Sequence, residues 1–543
     1  MTKAKGADGQ AIIGHLKAGT NNLGTVSIAG DLGDIDAGRG GATVAAIKSL
    51  TVISFARFGQ YGDGDTFAHI TGNVGSLVVK HDFYDAAFYV TGNLTSASIG
   101  GSLIGGKLAG AGEIYATGNV GKVTIKHDLR GADGAYSGSV GAGLNVASVA
   151  VGGSVFGGKG DNSGDIFAAF AADGTITKVT VAGSVFGGSG LYSGAIGGKN
   201  PNGVAGTIHR VSLGTVSIGG DLVGGSANDS GKVDAHAGSI VAVTLKGSIR
   251  GGGGNASGEI LAAGVDLGTV TVGGSVYGGM GSSSGSIYGR ASLKALTIAH
   301  DLVGGAGPYS GSVGGGYGLT SVAVGGSVYG GEGDNSGDIY AAFEVDRKIE
   351  KVTIGGSLVG GAGKYSGVIG GEIAGGGTHH VSLGTVLIGR DIVGGDGANA
   401  GAVFAFNGSL DHLTVKGSLV GGTGADAGLI EADALNADGH GGTISILGSV
   451  YGGAGQDSAL IFGKSGIDML TIGGSLIGGA GIQAAYVVVA SGGIGVLNIH
   501  GDVRGGSGDT SGSVVVNAPG ITTKMIGGDI IPGTGPYSGP VTG

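Results

Sequence analysis

The sequence predicts an all-β chain folded as a right-handed parallel β-helix, or β-solenoid, roughly three-sided, with about 19 coils of about 26 residues. Three observations predict it. The phrase apolar-x-apolar-x-x-Ser/Asp-apolar-x-Gly-Gly recurs along the chain, its Ser/Asp mostly 26 or 27 residues from the next, with insertions stretching some gaps to 30–37. A longer repeat lies on top: VAVGGSVFGGKGDNSGDIFAAF at 149–170 returns at 322–343, 173 residues on, changed only at Phe156/Tyr329, Lys159/Glu332 and Phe167/Tyr340. Finally, the chain has 133 glycines in 543 residues, a content that marks a repeat fold once a period is present.

One coil resolves into three short strands. In LGTVTVGGSVYGGMGSSSGSIYGRAS (267–292), Val270-Thr271-Val272, Val276-Tyr277 and Ile287-Tyr288 are alternating apolar pieces too short for a helix. Gly-rich corners separate them, and glycine is expected there because it takes positive φ without penalty. The Ser/Asp, as at Asp128, Ser154, Ser184 and Asp221, is expected to accept backbone N–H bonds at a corner. The residue after it (Val155, Leu222, Ile249, Leu302) and the third-side Ile166, Ile260, Ile287 and Ile339 should face inward. Stacks of such residues fill a core that no single repeat could bury. Each coil touches only its neighbours, so blocks can be duplicated. Residues 128–300 and 301–473 read as such a pair, after less regular coils over 1–127 and before C-terminal coils over 474–543, all in one continuous solenoid over 1–543.

Composition excludes several classes. The net charge of -10 is evenly spread with no basic patch, which argues against nucleic acid. No run of 18 apolar residues exists to span a membrane. Cysteine is absent, so disulfide and thiolate sites are too. The start, MTKAKGADGQAIIGHL, does not read as a secretory signal.

The phrasing GGSLVGGxGxxSGxI, with TGNVGKVTI and LGTVSIGGDL, resembles the Gly-rich β-strand-repeat proteins of bacterial cell surfaces, adhesin-like and autotransporter-passenger-like. The resemblance implies a parallel β-solenoid that is extracellular or at the cell surface, acting as a rigid rod, stalk or filament with adhesive use. It brings no catalytic residues. A polysaccharide-binding or polysaccharide-cleaving β-helix is the alternative reading, and ice binding or calcium binding a minor one.

Candidate sites follow from departures within the repeat. Asp161, Asn162 and Asp165, repeated at Asp334, Asn335 and Asp338, resemble half of a calcium-binding nonapeptide. The neighbouring turns carry GAYSG, GLYSG, GPYSG and GKYSG, so a solvated Asx turn without a cofactor is the expectation. His81-Asp82, His127-Asp128 and His300-Asp301 are too widely spaced to share a metal. An outward Thr rank (Thr124, Thr180, Thr244, Thr271) is interrupted by Ala150 and Ala323, which weakens an ice-binding reading. Phe156, Phe186, Tyr277, Tyr329 and Tyr451 form an outward apolar stripe, broken by Arg130, Arg250 and Arg504, and are candidates for a lateral interface. No asymmetric carboxylate cluster stands out, and the longest inserts, 195–209 and 368–380, lack paired acids, so no enzyme is expected. Open strand edges predict self-association, end to end or lateral, with Pro519, Pro532, Pro536 and Pro540 as a partial defence.

Overall fold

The computed structural model describes residues 11–41, 44–58, 67–197, 209–341, 347–371, 380–435, 439 and 441–543. The core of the two long inserts, 198–208 and 372–379, lies outside the described residues. Two compact units make up the chain, Met1–Leu267 and Gly268–Gly543. Both are parallel β-solenoids with three sheets, about 18 turns between them, and no helix among the described residues.

In the first unit the longest strands, such as Val120–Ile125, Val146–Val151 and Gly174–Val181, stack in register, Val120 on Val146 and Val146 on Ile176. After a corner come two-residue strands, Leu129–Arg130, Val155–Phe156 and Val185–Phe186. The third sheet holds Ile114–Ala116, Val140–Ala142 and Ile166–Phe167. The second unit repeats the plan with Ser292–Ile298, Leu302–Val303 and Val313–Gly315. The sequence-block boundary at 300/301 is no seam here. Val276 pairs with Leu302 across it, and the Asp301 N–H donates to Ser275 Oγ at 3.2 Å.

Alternation decides the core. Val120, Val123, Ile125, Leu129, Val140 and Ala142 of successive strands are wholly buried, and each sits on an apolar counterpart in the next coil. The less regular N-terminal coils fill the same interior with rings. Phe55 lies flat on Phe83 at 4.7 Å and meets Phe88 edge-on at 6.0 Å.

Two polar columns hold the corners. The Ser/Asp anchor accepts the N–H of the next anchor, as expected: Ser154 to Asp128 Oδ1 at 2.8 Å, Ser184 to Ser154 Oγ at 3.1 Å, Asp221 to Ser184 Oγ at 2.9 Å. The second unit does the same, Ser327 to Asp301 Oδ1 at 2.8 Å and Ser357 to Ser327 Oγ at 3.0 Å. The other column is the serine of each SG dipeptide, which the sequence reading did not single out. Ser336 is fully buried; its Oγ accepts from the Gly331 N–H at 3.0 Å and donates to the Gly333 carbonyl at 2.6 Å. It closes the turn inside a single coil, where water cannot reach those groups.

The corner glycines correct one expectation. Gly331 has no positive φ; a Cβ there would lie 2.7 Å from the backbone carbon of Gly304 and run into the Gly305 carbonyl oxygen of the preceding coil. Backbone packs directly on backbone, and that approach excludes a side chain. The left-handed positions come later in the turn, at Asn335 (φ 56°) and Gly337 (φ 72°). The position of Asn335 is left-handed in coil after coil although it carries Tyr136, Asn162, Tyr192 or Tyr309.

Candidate functional site

The inward positions are spent on the core, so function must lie on outward columns. The stripe two residues after each anchor does point outward, but stacking covers much of it. Phe156 lies on Phe186 at 5.1 Å, and the Arg130 guanidinium sits 4.6 Å above the Phe156 ring. Phe156, Phe186 and Tyr277 are half-buried, whereas Tyr329 and Tyr451 are 39% and 41% exposed.

DNSGD is built into the stack. Asp161 Oδ1 accepts the Leu191 N–H at 2.9 Å, and Asp165 Oδ1 accepts the Ala195 N–H at 2.8 Å, both from the next coil. Asp334 and Asp338 repeat this with Lys364 and Val368, each at 2.9 Å. Asn162 and Asn335 take the left-handed turn position and are buried. Asp165 is buried rather than solvated, which corrects the expectation of a solvated turn. Burial pushes its carboxyl well above the usual range, against the pull of the Ala195 and Gly194 N–H groups. The His-Asp pairs separate by role: Asp82, Asp128 and Asp301 are anchors, while His81, His127 and His300 are exposed.

The third sheet of the first unit carries a feature the sequence reading missed. Its outward column holds His69, Tyr89, Tyr115, Gly141 and Phe167. Tyr89 stacks on Tyr115 at 5.3 Å. Tyr115 reaches Phe167, two coils away, at 6.1 Å because Gly141 leaves the space between them open. A Cβ on Gly141 would come within 2.6 Å of the Phe167 ring. Phe170 stands across this layer, at 79° to Tyr115 and 82° to Tyr136. Together with Glu113 these rings line a cleft of about 190 Å³. Glu113 fills a column that holds serine in other coils, at Ser139, Ser286 and Ser312; one acid in a serine column was the signal available in the sequence.

Burial raises the Glu113 carboxyl to about 8, from an ordinary 4.5, and pushes the Tyr115 phenol upward as well, helped by Tyr89, Glu113 and Tyr136. The neutral acid is therefore the form the fold prefers. Its contribution is complete below about pH 4.5 and is lost as pH rises through about 8. Glu113→Gln should melt with the parent near pH 4 and above it near pH 9, as thermal unfolding at the two pH values will read. Coincident melting at both would refute this assignment.

Two further polar groups were not legible. In the first unit Lys232 is 2% exposed, and its Nζ lies 2.8 Å from both Asp229 and Glu259. In the second unit the expectation of no clustered carboxylates is corrected. Glu431, raised to about 8 by burial and then by Asp433, also feels Asp426; Asp426, raised to about 6 by burial, feels Asp457 of the next coil. Among the described residues, no group of three or more acids and histidines is arranged to hold a metal ion. Comparison of the chain with protein-family models, curated proteins and solved structures finds no match.

Proposed function

We propose that the chain is a structural repeat protein of the bacterial cell surface, a stalk or filament component that associates with itself, and not an enzyme. The observation that carries this reading is the anchor column. One polar side chain per coil is committed to the backbone of the next coil, from Asp82 to Ser248 in the first unit and from Ser275 to Asp529 in the second. Such a column secures stacking and leaves no repeated group for chemistry. The cell-surface part rests on the Gly-rich phrases and the absence of cysteine; in addition, no helix among the described residues is long and apolar enough to cross a membrane.

Self-association is assigned to the outward stripe where it is most exposed, at Tyr329 and Tyr451. Sedimentation of the purified chain at micromolar concentration should show species heavier than 51.5 kDa. The paired variant Tyr329→Arg/Tyr451→Arg should sediment as single chains. Arginine is compatible with this column, which already carries Arg130, Arg250 and Arg504. A single-chain boundary for the parent at every concentration defeats the reading. The reading also takes no calcium: melting temperatures in excess calcium and in chelator should coincide, and a gap of several degrees would reveal a bound ion.

A further inference from the structure

The aromatic cleft of the first unit is unexplained by coil stacking. Most outward columns carry side chains that vary freely, but here five rings converge on one carboxylate. Among the described residues nothing offsets that carboxylate; burial is the sole influence on its protonation. A half-buried acid with no partner, kept in a stack whose other coils place serine in the same column, calls for a partner from outside.

We propose that this cleft binds a small organic cation, an alkylated ammonium group, with Glu113 as its counter-charge and Tyr89, Tyr115, Tyr136, Phe167 and Phe170 as its walls. The ring geometry favours a cation over a sugar. A pyranose stacks on a broad open ring face, yet Tyr115 and Phe167 are 9% and 8% exposed, so neither presents one. The walls are set at steep angles instead, Phe170 at 79° to Tyr115 and 82° to Tyr136, so more than one π-system turns toward the same hollow. Cations are drawn to several ring faces at once, and electron-rich phenols serve well. The volume of about 190 Å³ is below the roughly 300–1,000 Å³ that holds a drug-sized ligand, which suits a headgroup. Binding would restore to Glu113 the charge that burial opposes, so cation and carboxylate support each other in the dry cleft.

The duplicated block separates the contributions. There, 173 residues on, Tyr288, Tyr309 and Tyr340 stand where Tyr115, Tyr136 and Phe167 stand, and Tyr288 and Tyr340 again stack at 6.3 Å across a glycine, Gly314. Ser286 replaces Glu113. The second block thus keeps the rings and lacks the counter-charge, so the cation should occupy one site per chain.

This inference is independent of the structural role proposed above. The test is calorimetric titration of the full chain with tetramethylammonium, with tert-butanol and glucose as neutral arms. Tetramethylammonium should bind saturably at one site, and Glu113→Gln and Tyr89→Ala should each weaken it by about tenfold or more. Neither neutral compound should bind in the same range. Glu113→Gln keeps the shape of the side chain, and Tyr89→Ala alters a half-buried ring, so the two variants do not depend on one folding risk. Glucose binding without tetramethylammonium binding would overturn the proposal in favour of a sugar site. No saturable heat with tetramethylammonium, or undiminished affinity in both variants, would also overturn it.

Discussion

Replacing Lys232 with methionine should cost the first unit about 3–5 kcal/mol, the usual penalty for removing one partner of a buried ion pair. Lys232 lies in the column just before the third-sheet strands, where Ser139 and Asp165 stand in earlier coils and Glu259 stands in the next. Burial alone would depress the ammonium, but the carboxylates of Glu259, Asp234 and Asp229 outweigh it and hold Lys232 above its ordinary value. Without the ammonium, three acids face one another with Glu259 only 5% exposed. The paired variant Lys232→Met/Glu259→Leu should recover much of the loss, because an apolar pair of similar volume avoids desolvating charge. Urea unfolding of parent, single and paired variants will compare them. Because the lysine value is raised, its contribution is complete below its unfolded value near 10.5 and is lost only at higher pH. The single-variant penalty should therefore be the same at neutral and mildly alkaline pH. A Lys232→Met chain as stable as the parent would refute the ion pair's role.

Gly331→Ala should destabilise the second unit by about 3 kcal/mol, at the upper end for overpacking, because the obstructing atoms belong to backbone on a neighbouring coil. A flexible side chain could move aside; the Gly304–Gly305 peptide can move only by spreading two coils and lengthening their hydrogen bonds. Gly24 supplies the control: a Cβ there meets nothing within 4 Å and its φ is ordinary, so Gly24→Ala should change stability by no more than about 0.5 kcal/mol. Equal effects at the two positions would show that the corner tolerates a methyl group. A greater loss at Gly331 with no change in the residue's own φ preference would separate close packing from turn geometry as the reason for glycine.

The repeat was legible because its chemistry is periodic. Apolar alternation marked the strands and the residue after each anchor, such as Val155 and Leu302, as core, and both are fully buried. The anchor was legible because Ser and Asp interchange there and share only the ability to accept a hydrogen bond. Features that depend on reading down a column were harder to see. Tyr115 and Phe167 are 52 residues apart and look like ordinary strand residues; only the missing side chain of Gly141 between them creates the cleft. Asp426 and Asp457 lie in adjacent coils separated by an insertion, so their juxtaposition does not follow from a constant period. The serine of the SG dipeptide resembled a solvent-facing turn residue, and its burial follows from the Gly-rich corner folding over it.

The order of Ser and Asp along the anchor column sets a rule for recombination. Asp82, Asp128, Asp301 and Asp391 are each followed by at least one serine anchor. Consecutive acids are thus kept at least two coils apart, about 10 Å, close to the screening length of physiological salt. Asp502 and Asp529 are neighbours, and there Arg504 donates to Asp502 at 2.6 and 3.0 Å and lowers its carboxyl. Excising one coil between two serines would splice the stack cleanly. Excising the Ser102 coil would bring Asp82 against Asp128, like charges one strand spacing apart. Whole coils are interchangeable in shape but not in charge, so gain and loss of coils in such a chain should proceed in units that carry their own serine spacers.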